Sequence, residues 1–215
     1  VIIGVFDSGR GGEILAQDIA EAFPEHQVIT YLDVENVPYG SKAPDEIHRL
    51  TKIGLDDLIT RGANILVLAC NTASTIVHLL RKEIKVPIVG LEPMIKPAAQ
   101  LTKSGVIAVF ATPATLAAAN YQRLKQEYAS DCTVLEPDCG KWSTMIQREA
   151  IDWATINQTT QEMLEQAADV LVLGCTHYHI LEDKLLKLVD GRAQVLQPSQ
   201  AIIQQIGKML DATYA

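Results

Sequence analysis

No apolar run in this 215-residue chain approaches the roughly 18 residues a membrane-spanning helix needs, and no signal peptide is visible. A membrane partner is not expected. The chain opens at Val1 in what already reads as a strand, so an initiator methionine or short leader upstream is the expectation. Basic runs are missing too. With 18 Lys and Arg against 26 Asp and Glu, the net charge is −8. Nucleic acid is therefore not expected as the primary partner, since affinity there rests on clustered Lys and Arg. The same charge would not steer a small acid, so any anion must be recognised locally, by backbone amides and hydroxyls. Four cysteines do not make a disulfide framework, and reduced thiols in the cytoplasm are the expectation. Also lacking are a complete dinucleotide fingerprint and a lysine motif for pyridoxal, so no cofactor is expected.

What is present is organised around Ile65-Leu66-Val67-Leu68-Ala69-Cys70-Asn71-Thr72. Four large apolar residues in a row read as a strand buried on both faces, as in a parallel sheet. The run stops at a cysteine, followed by polar residues able to cap a helix over Ala73–Leu80. The unit returns as Val170-Leu171-Val172-Leu173-Gly174-Cys175-Thr176-His177. A lone strand-end cysteine is most often a small buried hydrophobe. Two of them, each closing a matched strand at the end where open α/β sheets bind ligands, read as a pair of facing thiols.

The remaining pattern alternates strand and helix. Val1–Phe6 is a strand running into Asp7-Ser8-Gly9-Arg10-Gly11-Gly12, then a helix to Ala22, a strand Gln27–Asp33, a turn-rich loop to Lys42, and a helix from Pro44 to Thr60. After Pro87–Gly90, prolines 93 and 97 permit only a short or kinked helix, read as the crossing between domains. A second cycle starts with the strand Val106–Ala111 and a helix to Tyr128 capped by Thr112, with Pro113 next. A short strand Asp131–Leu135 and helices over 142–150, 156–167 and 181–189 follow, then a strand Ala193–Leu196 and a closing helix from Pro198. Asp7 precedes Cys70 by 63 residues and Thr112 precedes Cys175 by 63. The expected architecture is α/β, with two pseudo-symmetric domains of mainly parallel sheet whose strand ends face across an active-site cleft. The domains are expected at residues 1–96 with 198–215, and at 97–197.

Cys175, His177 and His179 alternate, which on a continued strand would suggest a metal site; no zinc-ligand spacing is present, and none is expected. A Cys–His acyl-transfer pair would leave Cys70 unexplained. Two opposed acid/base groups are what a racemase needs: one thiolate removes the proton beside a carboxylate, and the opposite thiol returns one to the other face. A histidine beside a cysteine helps form thiolate, and an aspartate beside one can accept its proton or orient a substrate ammonium. His177 and Asp7 fit these roles. Carboxylates can be held by helix-start amides and by the hydroxyls of Ser8, Thr72, Thr112, Thr115 and Thr176.

Asp7-Ser8-Gly9-x-Gly11-Gly12, Pro38-Tyr39-Gly40-Ser41-Lys42, Ala69-Cys70-Asn71-Thr72-Ala73, Glu92-Pro93-x-x-Lys96-Pro97-Ala98, Ala111-Thr112-x-x-Thr115 and Gly174-Cys175-Thr176-His177-Tyr178 stand in this order. Over nearly its whole length the chain resembles the cofactor-independent glutamate racemases of bacterial cell-wall synthesis. The resemblance implies a two-domain fold whose C-terminal helix returns to the first domain, and conversion of L- to D-glutamate for peptidoglycan. It implies Cys70 and Cys175 as the two bases, taking the proton from D- and L-glutamate respectively, assisted by Asp7 and His177. It places Ser8, Pro38, Tyr39, Gly40, Asn71, Thr72, Thr112, Thr115 and Thr176 at the substrate, with glutamate the small-molecule partner and a homodimer the assembly to test. Arg10 and Glu13 stand where that family carries apolar residues, His179 replaces its proline, and Gln147 occupies its acidic position, where nearby Glu149 is the candidate substitute. The rival readings are a relaxed aspartate/glutamate racemase, a decarboxylase or isomerase of the superfamily, and a non-catalytic amino-acid-binding homologue.

Overall fold

A computed structural model describes residues 1–211 in full and carries the backbone of the last helix to Tyr214. The chain divides into two compact units, Val1–Glu92 with Pro198–Ala215, and Pro93–Gln197. The first holds strands β1 (Ile2–Asp7), β2 (Gln27–Leu32), β3 (Ile65–Leu68) and β4 (Ile88–Gly90), all parallel, in the order β2-β1-β3-β4. The second holds β5 (Val106–Ala111), β6 (Thr133–Leu135), β7 (Val170–Gly174) and β8 (Gln194–Leu196), also parallel, in the order β6-β5-β7-β8. The two topologies are the same.

Each sheet is buried on both faces, which is why its central strands read as unbroken apolar runs. In β3, Leu66 and Leu68 enter one core while Ile65 and Val67 enter the other. The helices α1 (Gly12–Ala22) and α11 (Ser199–Tyr214) cover the second of these faces. Leu15 and Ile19 meet Ile202, Ile206 and Leu210 there, apolar residues at helical spacing. Each such side chain contributes roughly 1.5–3 kcal/mol on full burial, enough to bring the last helix back to the first unit. Helix α2 (Pro44–Thr60) covers the opposite face; it starts with Pro44 in its first turn and Asp45 and Glu46 at its positive end.

Two helices expected to be continuous are each broken in two. The stretch after Cys70 breaks into α3 (Asn71–Ser74) and α4 (Val77–Glu83), because Ile76 leaves helical geometry. The helix after Thr112 breaks into α6 (Pro113–Ala117) and α7 (Ala119–Tyr128) at Ala118, whose backbone is extended. The expected domain break after residue 96 falls inside α5 (Ile95–Leu101). Ile95 and Ala98 of that helix are buried in the second unit's core, so the division comes between Glu92 and Pro93. Helices α8 (Trp142–Gln147), α9 (Trp153–Glu165) and α10 (Glu182–Val189) cover the other face of the second sheet. No helix among the described residues is long and apolar enough to cross a membrane.

Candidate active site

In the first unit the polar residues gather where β1 and β3 end. Phe6 pairs with Leu68, so two steps on Ser8 comes level with Cys70. Ser8 Oγ lies 3.2 Å from Cys70 Sγ, and that sulfur accepts the Ala73 amide at 3.3 Å. Cys70 is thus its own helix cap; Asn71 and Thr72, the expected caps, are inside the first turn of α3. Asp7 is fully buried and accepts the Gly9 amide at 2.8 Å. Gly12 is required there, because a Cβ would stand 2.4 Å from Asp7 Cβ. Burial, and secondly the Asp7 carboxylate, push the Cys70 thiol up to about 11, against the Ser8 hydroxyl and the Ala73 and Ser8 amides, which favour thiolate. At neutral pH Cys70 is a thiol.

The loop before α2 carries Pro38, Tyr39 and Gly40. Tyr39 is buried and donates to Asp33 Oδ2 at 2.6 Å, and Asp33 is also held by Asn36. Burial first, then Asp33, raises the Tyr39 hydroxyl, and Cys70 adds to that rise. The expected contact Asn71 is buried with its Nδ2 unpartnered, while Thr72 is buried and its carbonyl accepts the Thr75 hydroxyl. Arg10 and Glu13 are exposed and meet only at 3.9 Å.

In the second unit Ala111 pairs with Gly174, so Thr112 comes level with Cys175. Thr112 caps α6, accepting the Thr115 amide at 3.3 Å, and the two buried hydroxyls lie 3.0 Å apart. Ser8, rather than Asp7, is therefore the register counterpart of Thr112.

The strand does not continue past Cys175. Thr176–Leu181 forms a 3₁₀ turn, which removes the single strand face proposed for Cys175, His177 and His179. No group of three His, Cys, Asp or Glu among the described residues is arranged to hold a metal ion. Within the turn Thr176, His177 and His179 are all buried. Cys175 Sγ lies 3.8 Å from His177 Nδ1, and His177 Nε2 lies 3.1 Å from Gln147 Oε1. Gln147 thus meets the histidine; Glu149 lies past the end of α8 with φ of 55°. Burial pushes His177 down to about 4 and His179 to about 4, the latter also through His177. Neither ring nitrogen of His179 has a hydrogen-bond partner. Tyr178 anchors the turn, donating to the Cys139 carbonyl at 2.7 Å and packing on Trp142.

Two contacts escaped sequence reasoning: Ser8 with Cys70 and Gln147 with His177. The first could have been found from strand register; the second spans 30 residues and left no local signal.

Comparison with known proteins places these features in a family. The family model for Asp/Glu/hydantoin racemases matches residues 13–206. The chain belongs to the Asp/Glu/hydantoin racemase family. It is an enzyme of the racemase class, an isomerase, and groups with the glutamate racemases. It is 36% identical to the glutamate racemase of Ralstonia pickettii, over 98% of this chain and 76% of the relative. Against that of Roseiflexus the identity is 35%, over 97% and 79%. The Escherichia coli glutamate racemase, solved with L-glutamate and the activator UDP-MurNAc-ala, superposes with a TM-score of 0.85 at 28% identity, covering 98% of this chain and 82% of that one.

Proposed function

We propose that this protein interconverts L- and D-glutamate by a cofactor-independent two-base mechanism, in the cytoplasm, with D-glutamate destined for peptidoglycan. The observation that carries the reading is that each of two parallel sheets of equal topology runs a central strand into a buried cysteine, with a hydroxyl level with it on the neighbouring strand. The chain's identity to named glutamate racemases over nearly its full length supports glutamate as substrate.

In the L-to-D direction Cys175 is the base, passing its own proton to His177 and taking the α-proton of L-glutamate. Cys70 is the acid. A thiol pushed up to about 11 is protonated at neutral pH and suited to deliver a proton to the opposite face of the carbanion. In the reverse direction Cys70 takes the proton from D-glutamate, with Asp7 beside it. The hydroxyls of Ser8, Thr72, Thr112, Thr115 and Thr176, together with Pro38, Tyr39, Gly40 and Asn71, contact the substrate. The unpartnered buried Nδ2 of Asn71 supports a donor waiting for a ligand acceptor.

Circular dichroism of the purified protein with L-glutamate, without added cofactor, tests the reading. Ellipticity should decay to zero, and should still do so in EDTA. A requirement for pyridoxal phosphate or a metal would overturn the cofactor-independent mechanism, and faster decay with L-aspartate would overturn the substrate.

A further inference from the structure

The geometry points to Gln147 as a positioning residue that fixes the proton of His177 on Nε2 and leaves the Nδ1 lone pair facing the Cys175 thiol. The inference rests on the reading of Cys175 as a base and adds how that base is made ready.

A neutral imidazole has one N–H and one lone pair, and the hydrogen bond at one nitrogen decides the state of the other. His177 Nε2 faces the amide oxygen of Gln147 at 3.1 Å, an atom that can only accept. The ring proton therefore sits on Nε2. Nδ1 then carries the lone pair, 3.8 Å from Cys175 Sγ, and is the acceptor for the S–H. The S–H bond breaks as the Nδ1–H bond forms, leaving a thiolate beside an imidazolium; the thiolate then takes the substrate proton and is a thiol again.

The surroundings hold this geometry. Gln147 is the last residue of α8, and that helix is pinned at its start by Trp142, buried between Phe110 and Tyr178. Tyr178 follows His177 and is tied to the Cys139 carbonyl just ahead of α8. The helix that carries the amide and the turn that carries the imidazole are thus fastened to each other at a second point. An amide rather than a carboxylate is decisive. A carboxylate would stabilise the imidazolium and favour a ring already protonated, whereas the amide orients the ring without charging it. The depressed His177 value, about 4, agrees with a ring that rests neutral.

Nitrogen-15 NMR of histidine-labelled protein at neutral pH should show His177 bare at Nδ1 and protonated at Nε2. Gln147→Leu should abolish that preference and slow racemisation about tenfold or more, with a larger primary isotope effect from α-deuterated L-glutamate than from the D enantiomer. Gln147→Glu keeps the acceptor, so it should keep the tautomer while making the ring easier to protonate. A resting His177 protonated at Nδ1 would overturn the inference, and that measurement needs no variant to fold. An unchanged tautomer and rate in Gln147→Leu would overturn it as well. Cys175→Ala, assayed alongside, tests the underlying reading separately: retained racemisation would remove the base itself, whatever the tautomer.

Discussion

The two units have one topology and two chemistries. At the end of β3 the thiol meets a hydroxyl, backbone amides and, nearby, a buried carboxylate. At the end of β7 it meets an imidazole backed by an amide. A carboxylate beside a thiol makes ionisation harder, which in the proposed mechanism suits Cys70 to act as the acid in the L-to-D direction; a neutral imidazole offers a place for the thiol proton, which in the same proposal suits Cys175 to act as the base. The repeated fold supplies the positions, and the neighbouring side chains Ser8, Asp7, His177 and Gln147 set the difference in surroundings.

Removing either thiol should erase the comparison altogether. Cys70→Ala and Cys175→Ala each leave one face without a proton carrier, so racemisation should fall about a thousandfold or more in both directions, as seen by circular dichroism. One variant retaining most activity would show that a single base suffices.

The helpers should separate the two halves. Asp7→Asn and His177→Asn are each expected to cost roughly a hundredfold. The equilibrium constant between enantiomers is one, so kcat/KM must fall equally both ways; only isolated steps can reveal the asymmetry. His177→Asn should enlarge the isotope effect on α-deuterated L-glutamate, and Asp7→Asn that on the D form. Identical changes in both would break the pairing of helper with thiol. Asp7→Asn should also bring the Cys70 thiol below its present value of about 11, read from the pH dependence of its alkylation.

Thr112→Val probes whether the second unit's strand-end hydroxyl binds substrate as well as capping α6. A hydrogen bond to a charged group is worth roughly 1.5–3 kcal/mol, so KM should rise about ten- to a hundredfold, against a capping loss of about 1 kcal/mol in stability. An unchanged KM would leave Thr112 as a cap alone.

The smallest effect is on acid stability, and it belongs to the second unit. His177 and His179 stay neutral down to about 4, below their ordinary 6.5. Between those values the unfolded chain binds more protons, so the stability they confer is complete above 6.5 and declines as pH falls toward 4. The steepest loss is roughly 1.4 kcal/mol per pH unit for each histidine. His179→Phe should flatten the fall in urea midpoint over that window, and since neither His179 nitrogen is satisfied, it should cost little at neutral pH. An equally steep profile would show that other groups govern acid unfolding.

Much of this molecule follows from the order of residues alone. Unbroken apolar runs in β3 and β7 specify strands buried on both faces, and alternation with helices specifies parallel sheets. The strand-end cysteines, the Thr112 cap and the helical stripe Ile202, Ile206, Leu210 are local patterns, legible because strand and helix periods are short. Helix continuity was less legible: the helices break at Ile76 and Ala118, neither of them a glycine or proline, so no local signal marks the breaks. The chemistry of the thiols was decided later still. Ser8 reaches Cys70 through the register of β1 on β3, and a shift by one residue would have put Asp7 there instead. Gln147 reaches His177 because Trp142 and Tyr178 lock α8 against the turn after β7. Burial, a property of the folded chain and not of any residue type, raised Cys70 and lowered His177. The sequence determined which groups stand at the strand ends; tertiary packing decided which of them touch, and so gave Cys70 a hydroxyl and a carboxylate for neighbours and Cys175 an imidazole.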